Sequence, residues 1–115
     1  MEMAETERLN AYRNMWLMVL YDLPTETQAQ RKAFATFRKN LQGLGFSMFQ
    51  FSAYVRHVAS RESAEVYKRR VKAIVPEEGA VCVLEITDKQ FEKMELYLGR
   101  KRKPPPNQPR QLELF

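Results

Sequence analysis

Apolar and polar positions along this chain repeat at two periods, and the changes between them divide it into elements. Met15 to Tyr21 are seven consecutive apolar residues rich in β-formers, followed by Asp22, Leu23 and Pro24. That pattern predicts a strand buried on both faces, with Asp22 emerging at its carboxyl end. Thr25-Glu-Thr-Gln28 then reads as a capping box. Ala33 or Phe34, Phe37, Leu41 and Leu44 follow at helical spacing, which predicts an amphipathic helix ended by Gly43 and Gly45. Phe46–Gln50 and Phe51–Val58 are aromatic and β-branched, as two strands joined by a tight bend or as one long bent strand. A period of two places Phe49 and Phe51 on one face and Ser52 and Tyr54 on the other.

Ser60 caps a second helix with the stripe Ala64, Tyr67, Val71 and Ile74, acidic at its start (Glu62) and basic at its end (Lys68, Arg69, Arg70, Lys72). Pro76–Gly79 is a turn and Ala80–Thr87 a further strand. Thr87-Asp-Lys-Gln90 is a second capping box, opening a short helix with Phe91, Met94 and Leu98 on one face, stopped by Gly99. Asp88 in its first turn complements the helix dipole. The tail divides into a basic run, Arg100–Lys103, a stiff spacer, Pro104–Pro106, and Gln111–Phe115, which alternates like a short strand. Such a strand pairs with another subunit or frays.

The order strand, helix, strand, strand, helix, strand predicts an α+β, ferredoxin-like βαββαβ fold. Both helices lie on one face of a four-stranded antiparallel sheet, with a short C-terminal helix and a terminal strand added. Residues 1–14 form an N-terminal extension, 15–99 the domain and 100–115 the basic, Pro-rich tail. The helix-free face is apolar and needs a cover. The simplest is a second copy packed sheet to sheet, a twofold homodimer in which Asp22 approaches its mate.

Composition narrows the function classes. At 115 residues, 44% of them hydrophobic, the chain makes one domain with a real core. Its apolar runs fall far short of the roughly 20 residues a membrane helix needs, and the polar start has no secretory pattern, so no membrane is involved and a cytoplasmic location is expected. Cys82 and His57 are each single, which excludes zinc and iron–sulfur sites. Cys82 reads as a small buried hydrophobe and His57 as a satisfied or solvated side chain.

The net charge of +5 is uneven. Phe46–Val75 carries +4 and Gly99–Phe115 another +4, against −4 over Pro76–Leu98, a distribution that suits a polyanionic partner such as nucleic acid. Asp22 and Asp88 are the only aspartates. Asp22, between strand and helix, is either a turn former or local cap, or the place where a metal ion or phosphate sits.

Four segments together carry a resemblance: Tyr21-Asp-Leu-Pro24, Gly45-Phe-Ser-Met-Phe-Gln-Phe-Ser-Ala-Tyr54, Lys68-Arg-Arg70 and Ile86-Thr-Asp-Lys-Gln-Phe91. At these separations, over roughly Trp16 to Gly99, the chain resembles the small CRISPR-associated endoribonuclease family of spacer acquisition, especially the version found beside the large single-protein effector nuclease. The resemblance implies a ferredoxin-like homodimer in which Asp22 of each subunit, as the catalytic and metal-binding residue, holds one Mg2+ ion at the interface. Ser52 matches the family's serine after the glutamine strand, read as orienting ligands. Arg31, Arg56, Lys68, Arg69 and Arg70 are candidate phosphate contacts from charge and position. The resemblance further implies partnership with the larger CRISPR integrase. Gln111–Phe115 resembles the terminal strand that augments a neighbouring sheet and touches that partner, through Leu112, Leu114 and Phe115. Residues 1–14 depart from the family's usual start.

Two function classes compete. One is a magnesium-dependent nuclease that cleaves single-stranded RNA or duplex DNA by water attack on phosphorus. The other is a non-catalytic scaffold that supports duplex DNA in the integration complex, with Asp22 structural. A toxin-like ribonuclease of the same fold is a further alternative. So is an RNA-recognition module with Phe49 and Phe51 as stacking platforms, although the Lys/Arg-Gly-Phe/Tyr-Gly/Ala-Phe pattern of that module is absent.

Overall fold

The computed structural model describes residues 14–99 and 101–103. The long apolar run is strand β1 (Met15–Asp22), flanked by β3 (Ala53–Val58) and β4 (Ala80–Thr87), and β2 (Ser47–Gln50) pairs with β3. The sheet order is β2-β3-β1-β4, every pairing antiparallel. Helix α1 (Gln28–Gly43) connects β1 to β2 and α2 (Arg61–Ile74) connects β3 to β4. This is the ferredoxin-like arrangement the pattern predicts.

Alternation along β1 builds two cores. Met15, Leu17, Val19 and Tyr21 point to the helices and are buried with Phe37, Leu41, Tyr54, Ala64 and Val71. On the opposite face Trp16 and Met18 meet Val55 and Phe91, the last from a single-turn helix α3 (Asp88–Glu92). Trp16 stacks on Phe91 at 4.1 Å between centroids. The strand is therefore buried on both sides from Met15 to Val19, and the second face opens only toward its carboxyl end. There Leu20 is 36% exposed and Leu84 of β4 41%. Cys82, opposite Leu20, is exposed on this ledge rather than buried as expected, because α3 covers only the other end of the face.

Three further local expectations are corrected, and one open alternative is decided. The capping box of α1 is Thr27–Gln30 rather than Thr25–Gln28: the Gln30 N–H donates to Thr27 Oγ1 at 3.1 Å and the Thr27 N–H to Gln30 Oε1 at 2.9 Å. The chain stays extended past Pro24, so the later of two overlapping boxes is used. Phe46–Val58 resolves into two strands around a Phe51–Ser52 bend in which Ser52 has φ 65°. Phe49 and Phe51 do not share a face, because the ladder shifts register between Met48 and Gln50 and Phe51 leaves the strand. The last helix stops at Glu92 instead of running to Leu98. Leu96–Leu98 is a strand, β5, paired with β6 (Lys101–Lys103), and Gly99 at φ 68° supplies the hairpin turn. The predicted strand at Gln111–Phe115, with Leu112, Leu114 and Phe115, lies outside the described residues, as does the extension before Asn14.

Candidate active site at the end of the central strand

Asp22 is the last residue of β1, exposed and paired in register with Ala80. Alternation puts its carboxylate on the same face as Leu20, beside the open ledge. Two close approaches fix its backbone. On one side the Tyr21 N–H donates to the Ser52 carbonyl at 3.1 Å, so the β2–β3 bend is tied to the residue before Asp22. On the other, Gly79 at φ 97° presses on the segment. A Cβ there would lie 2.8 Å from the Asp22 carbonyl oxygen and 2.6 Å from Leu23 Cδ2. Only glycine fits such a left-handed position without strain. Ser52 thus reaches the site through its main chain. Tyr21 anchors the strand end in the helix-side core against Phe37, and burial, with Tyr54 adding to it, raises its phenol above the usual range.

Among the described residues no group of three or more His, Cys, Asp or Glu could hold a metal ion. At the end of β1 the carboxylate on the open face is that of Asp22, a hard oxygen donor. That fits magnesium, which keeps several waters and takes one or two carboxylates plus substrate phosphates, and it does not fit a metal needing a closed protein cage.

The candidate phosphate contacts fall into two groups. Arg31 donates from Nη1 to the carbonyls of Thr25 at 3.2 Å and Glu26 at 3.0 Å, holding the loop before α1. Arg56 is half-buried on the helix side, its guanidinium 3.9 Å from the Tyr67 ring centre and packed against Gly45, and Lys68 bridges Glu65 at 2.9 Å and Glu85 at 3.6 Å. Glu65 holds the Lys68 ammonium above its usual range. Arg69 and Arg70 are exposed on α2, with Lys72 a turn on. On α1, Lys32, Arg38 and Lys39 line a shallow depression of about 330 Å³ with Ala35, Thr36 and Gln42.

Sequence reasoning missed a polar cluster under α3. Trp16 Nε1–H donates to Asp88 Oδ1 at 2.8 Å, and the His57 ring meets Trp16 edge-on at 5.4 Å. Asp88 thus pins the indole besides standing in the first turn. His57 is half-buried, and its Nε2 is buried with no partner among the described residues. Burial lowers its pKa, with Asp88 opposing the shift. The unfolded chain takes up a proton near pH 6.5 while the folded chain resists until lower pH, so acid opposes folding in that window. Stability is expected to be full above about pH 6.5 and to fall as the pH drops toward 5, before the carboxylates titrate. Melting temperatures across that range check it. His57 is the only histidine, so His57→Gln should flatten the decline.

Comparison with known proteins bears on these features. The family model described as "CRISPR associated protein Cas2" matches residues 15–94. A protein of Flavobacterium psychrophilum named "CRISPR-associated endoribonuclease Cas2" is 53% identical over 108 residues, covering 94% of each chain. One of the same name from Parvibaculum lavamentivorans is 50% identical over 101 residues, 88% of this chain and all of that one (100%). A solved structure titled "Crystal structure of cas2" superposes with a TM-score of 0.53 at 21% identity, covering 80% of this chain and 93% of that one, a likeness of fold. No helix among the described residues is long and apolar enough to cross a membrane.

Proposed function

The chain belongs to the Cas2 family of CRISPR-associated proteins, and from that premise we propose that it is a homodimeric, magnesium-dependent endonuclease that works with the CRISPR integrase in acquiring spacers. The observation that carries this reading is the exposed carboxylate of Asp22 at the end of β1, next to an uncovered apolar ledge of Leu20 and Leu84. A second copy laid on that ledge buries both leucines and brings the two Asp22 side chains toward one axis. Two carboxylates there, with water and phosphate oxygens, would hold Mg2+, which supplies an activated water and neutralises charge on the scissile phosphodiester. Asp22 provides the oxygen ligand, the Gly79 turn and the Ser52 carbonyl hold its backbone in place, and Arg69 and Arg70 are the exposed cations offered to phosphates.

The relatives are named endoribonucleases, which supports RNA as the substrate in this reading. Incubating the protein with single-stranded RNA and with duplex DNA, in magnesium or in chelator, tests the chemistry: cleavage of the RNA that stops in chelator supports it, and no cleavage of either substrate overturns it. For the dimer, light scattering at micromolar concentration should return the mass of two chains, and Leu84→Lys should return one. A one-chain mass for the unaltered protein contradicts the arrangement.

A second reading is favoured by the absence, among the described residues, of any group of three or more His, Cys, Asp or Glu that could hold a metal, and by the exposed cations of α1 and α2. In it the dimer is a non-catalytic scaffold that holds duplex DNA for the integrase. Salt-dependent duplex binding without any cut selects it.

A further inference from the structure

The bend between β2 and β3 presents Phe51 to solvent. The residue is 75% exposed, the most exposed of the large apolar residues among those described, yet its ring has a partner. It stacks on Phe34 of α1 at 5.7 Å and 27°, and Phe34 in turn leans on Tyr21 at 5.8 Å. The bend is fixed by Ser52 in a left-handed conformation, costly for a side-chain-bearing residue, and by the Tyr21 N–H to Ser52 carbonyl bond. An exposed aromatic ring on a strained, anchored bend is a costly way to end a hairpin.

Its surroundings are cationic. Arg31 and Arg38 stand three residues before and four after Phe34, on the same side of α1, and Arg38 is near enough to Tyr21 to oppose the rise in its pKa. Phe51 lies on the helix-bearing side, away from the ledge assigned to the second copy, so dimer formation leaves it uncovered. Along the ladder Leu20 pairs with Ala53 and Tyr21 bonds to Ser52, which puts the Phe51 bend beside the strand end that carries Asp22.

We propose that Phe51 is a stacking platform for an unpaired nucleobase, with Arg38 beside it for the backbone phosphate, and that it positions single-stranded nucleic acid at the end of the sheet where β1 finishes in Asp22. Base stacking on aromatic side chains flanked by cations is the usual means of holding single strands without reading sequence. The inference rests on the nucleic-acid reading above but not on cleavage, since a platform also serves a scaffold that holds a frayed end.

The test uses the full chain in chelator, so that nothing is cut, and labelled 20-mers of uridine, of deoxythymidine, and of the duplex. Phe51→Ala is expected to weaken single-strand binding about tenfold or more, Phe51→Tyr to restore it, and neither to change duplex binding by more than about twofold. An oligonucleotide carrying one 2-aminopurine should lose fluorescence on binding the unaltered protein and keep it with Phe51→Ala, a signature that a purely structural role of the ring would not produce. Loss for RNA alone or for both single strands supports the platform and tells the two sources apart. Unchanged single-strand affinity in a Phe51→Ala protein that melts normally overturns it. So does a failure of the unaltered protein to bind single strands, or an effect confined to oligomer mass, which would make Phe51 a protein contact. Binding without cleavage, when magnesium is restored, removes the nuclease reading and leaves the platform standing.

Discussion

Replacing Asp22 by alanine is expected to lower magnesium-dependent cleavage by at least about 100-fold, roughly 3 kcal/mol of barrier, while leaving the fold intact. Both halves of that expectation come from the position of the side chain. Asp22 is exposed at the last position of β1, where its removal opens no cavity, so the melting temperature should barely move. Its loss takes away the carboxylate at the end of β1, and among the described residues no group of three or more His, Cys, Asp or Glu stands ready to replace it as a metal site. Asp22→Asn should behave nearly as badly, since a neutral amide is a poor magnesium ligand. Initial rates under single-turnover conditions, with circular dichroism of each variant, check both halves. A variant that keeps its rate would leave Asp22 a strand-end residue of no catalytic consequence.

Gly79→Ala is expected to be the most damaging small substitution near the site, at about 3 kcal/mol of stability. The residue sits at φ 97°, where a side chain is strained whatever the space, and here the space is filled. The added Cβ would meet the Asp22 carbonyl oxygen at 2.8 Å and the Leu23 Cα at 3.0 Å, both backbone atoms that cannot turn aside. Relief comes only by shifting the Asp22–Leu23 segment or the start of β4, so activity should fall even at temperatures where the variant is folded. Gly43→Ala is the control. Gly43 ends α1, nothing lies within 4 Å of its would-be Cβ, and alanine there should be neutral or slightly stabilising. Chemical denaturation of the two variants alongside cleavage at low temperature checks the pair. Equal behaviour of the two would show that the Gly79 turn does not constrain Asp22.

The parts of this fold written in long uniform patterns were legible in the sequence. The apolar run of β1, the β4 run Ala80–Thr87 and the stripe of α2 each lie where the periodicity puts them. The parts that depend on contacts distant in sequence were not. The Phe51–Ser52 bend contains no glycine, proline or asparagine, and its left-handed serine is set by the bond to Tyr21. Met94 and Leu98 continue a helical spacing, yet pairing of Leu96–Leu98 with Lys101–Lys103 wins, because a five-residue helix has little cooperativity to extend itself. Cys82 is exposed since α3 is too short to reach it. At the site, Asp22 stood out as a carboxylate at a strand end. The Gly79 turn was readable only as a turn, because its pressure on Asp22 arises when β1 and β4 pair. The engagement of Arg31 with two carbonyls, of Arg56 with Tyr67 and of Lys68 with Glu65 and Glu85 likewise follows from packing that charge patterning does not encode.

The central claim is that two Asp22 carboxylates share one ion across a twofold axis, and stoichiometry tests it most directly. Titrating the purified protein with Mn2+ as the probe, by calorimetry or electron paramagnetic resonance, should give one strong site per two chains, lost in Asp22→Ala. One site per chain, or a site that survives the substitution, would contradict it.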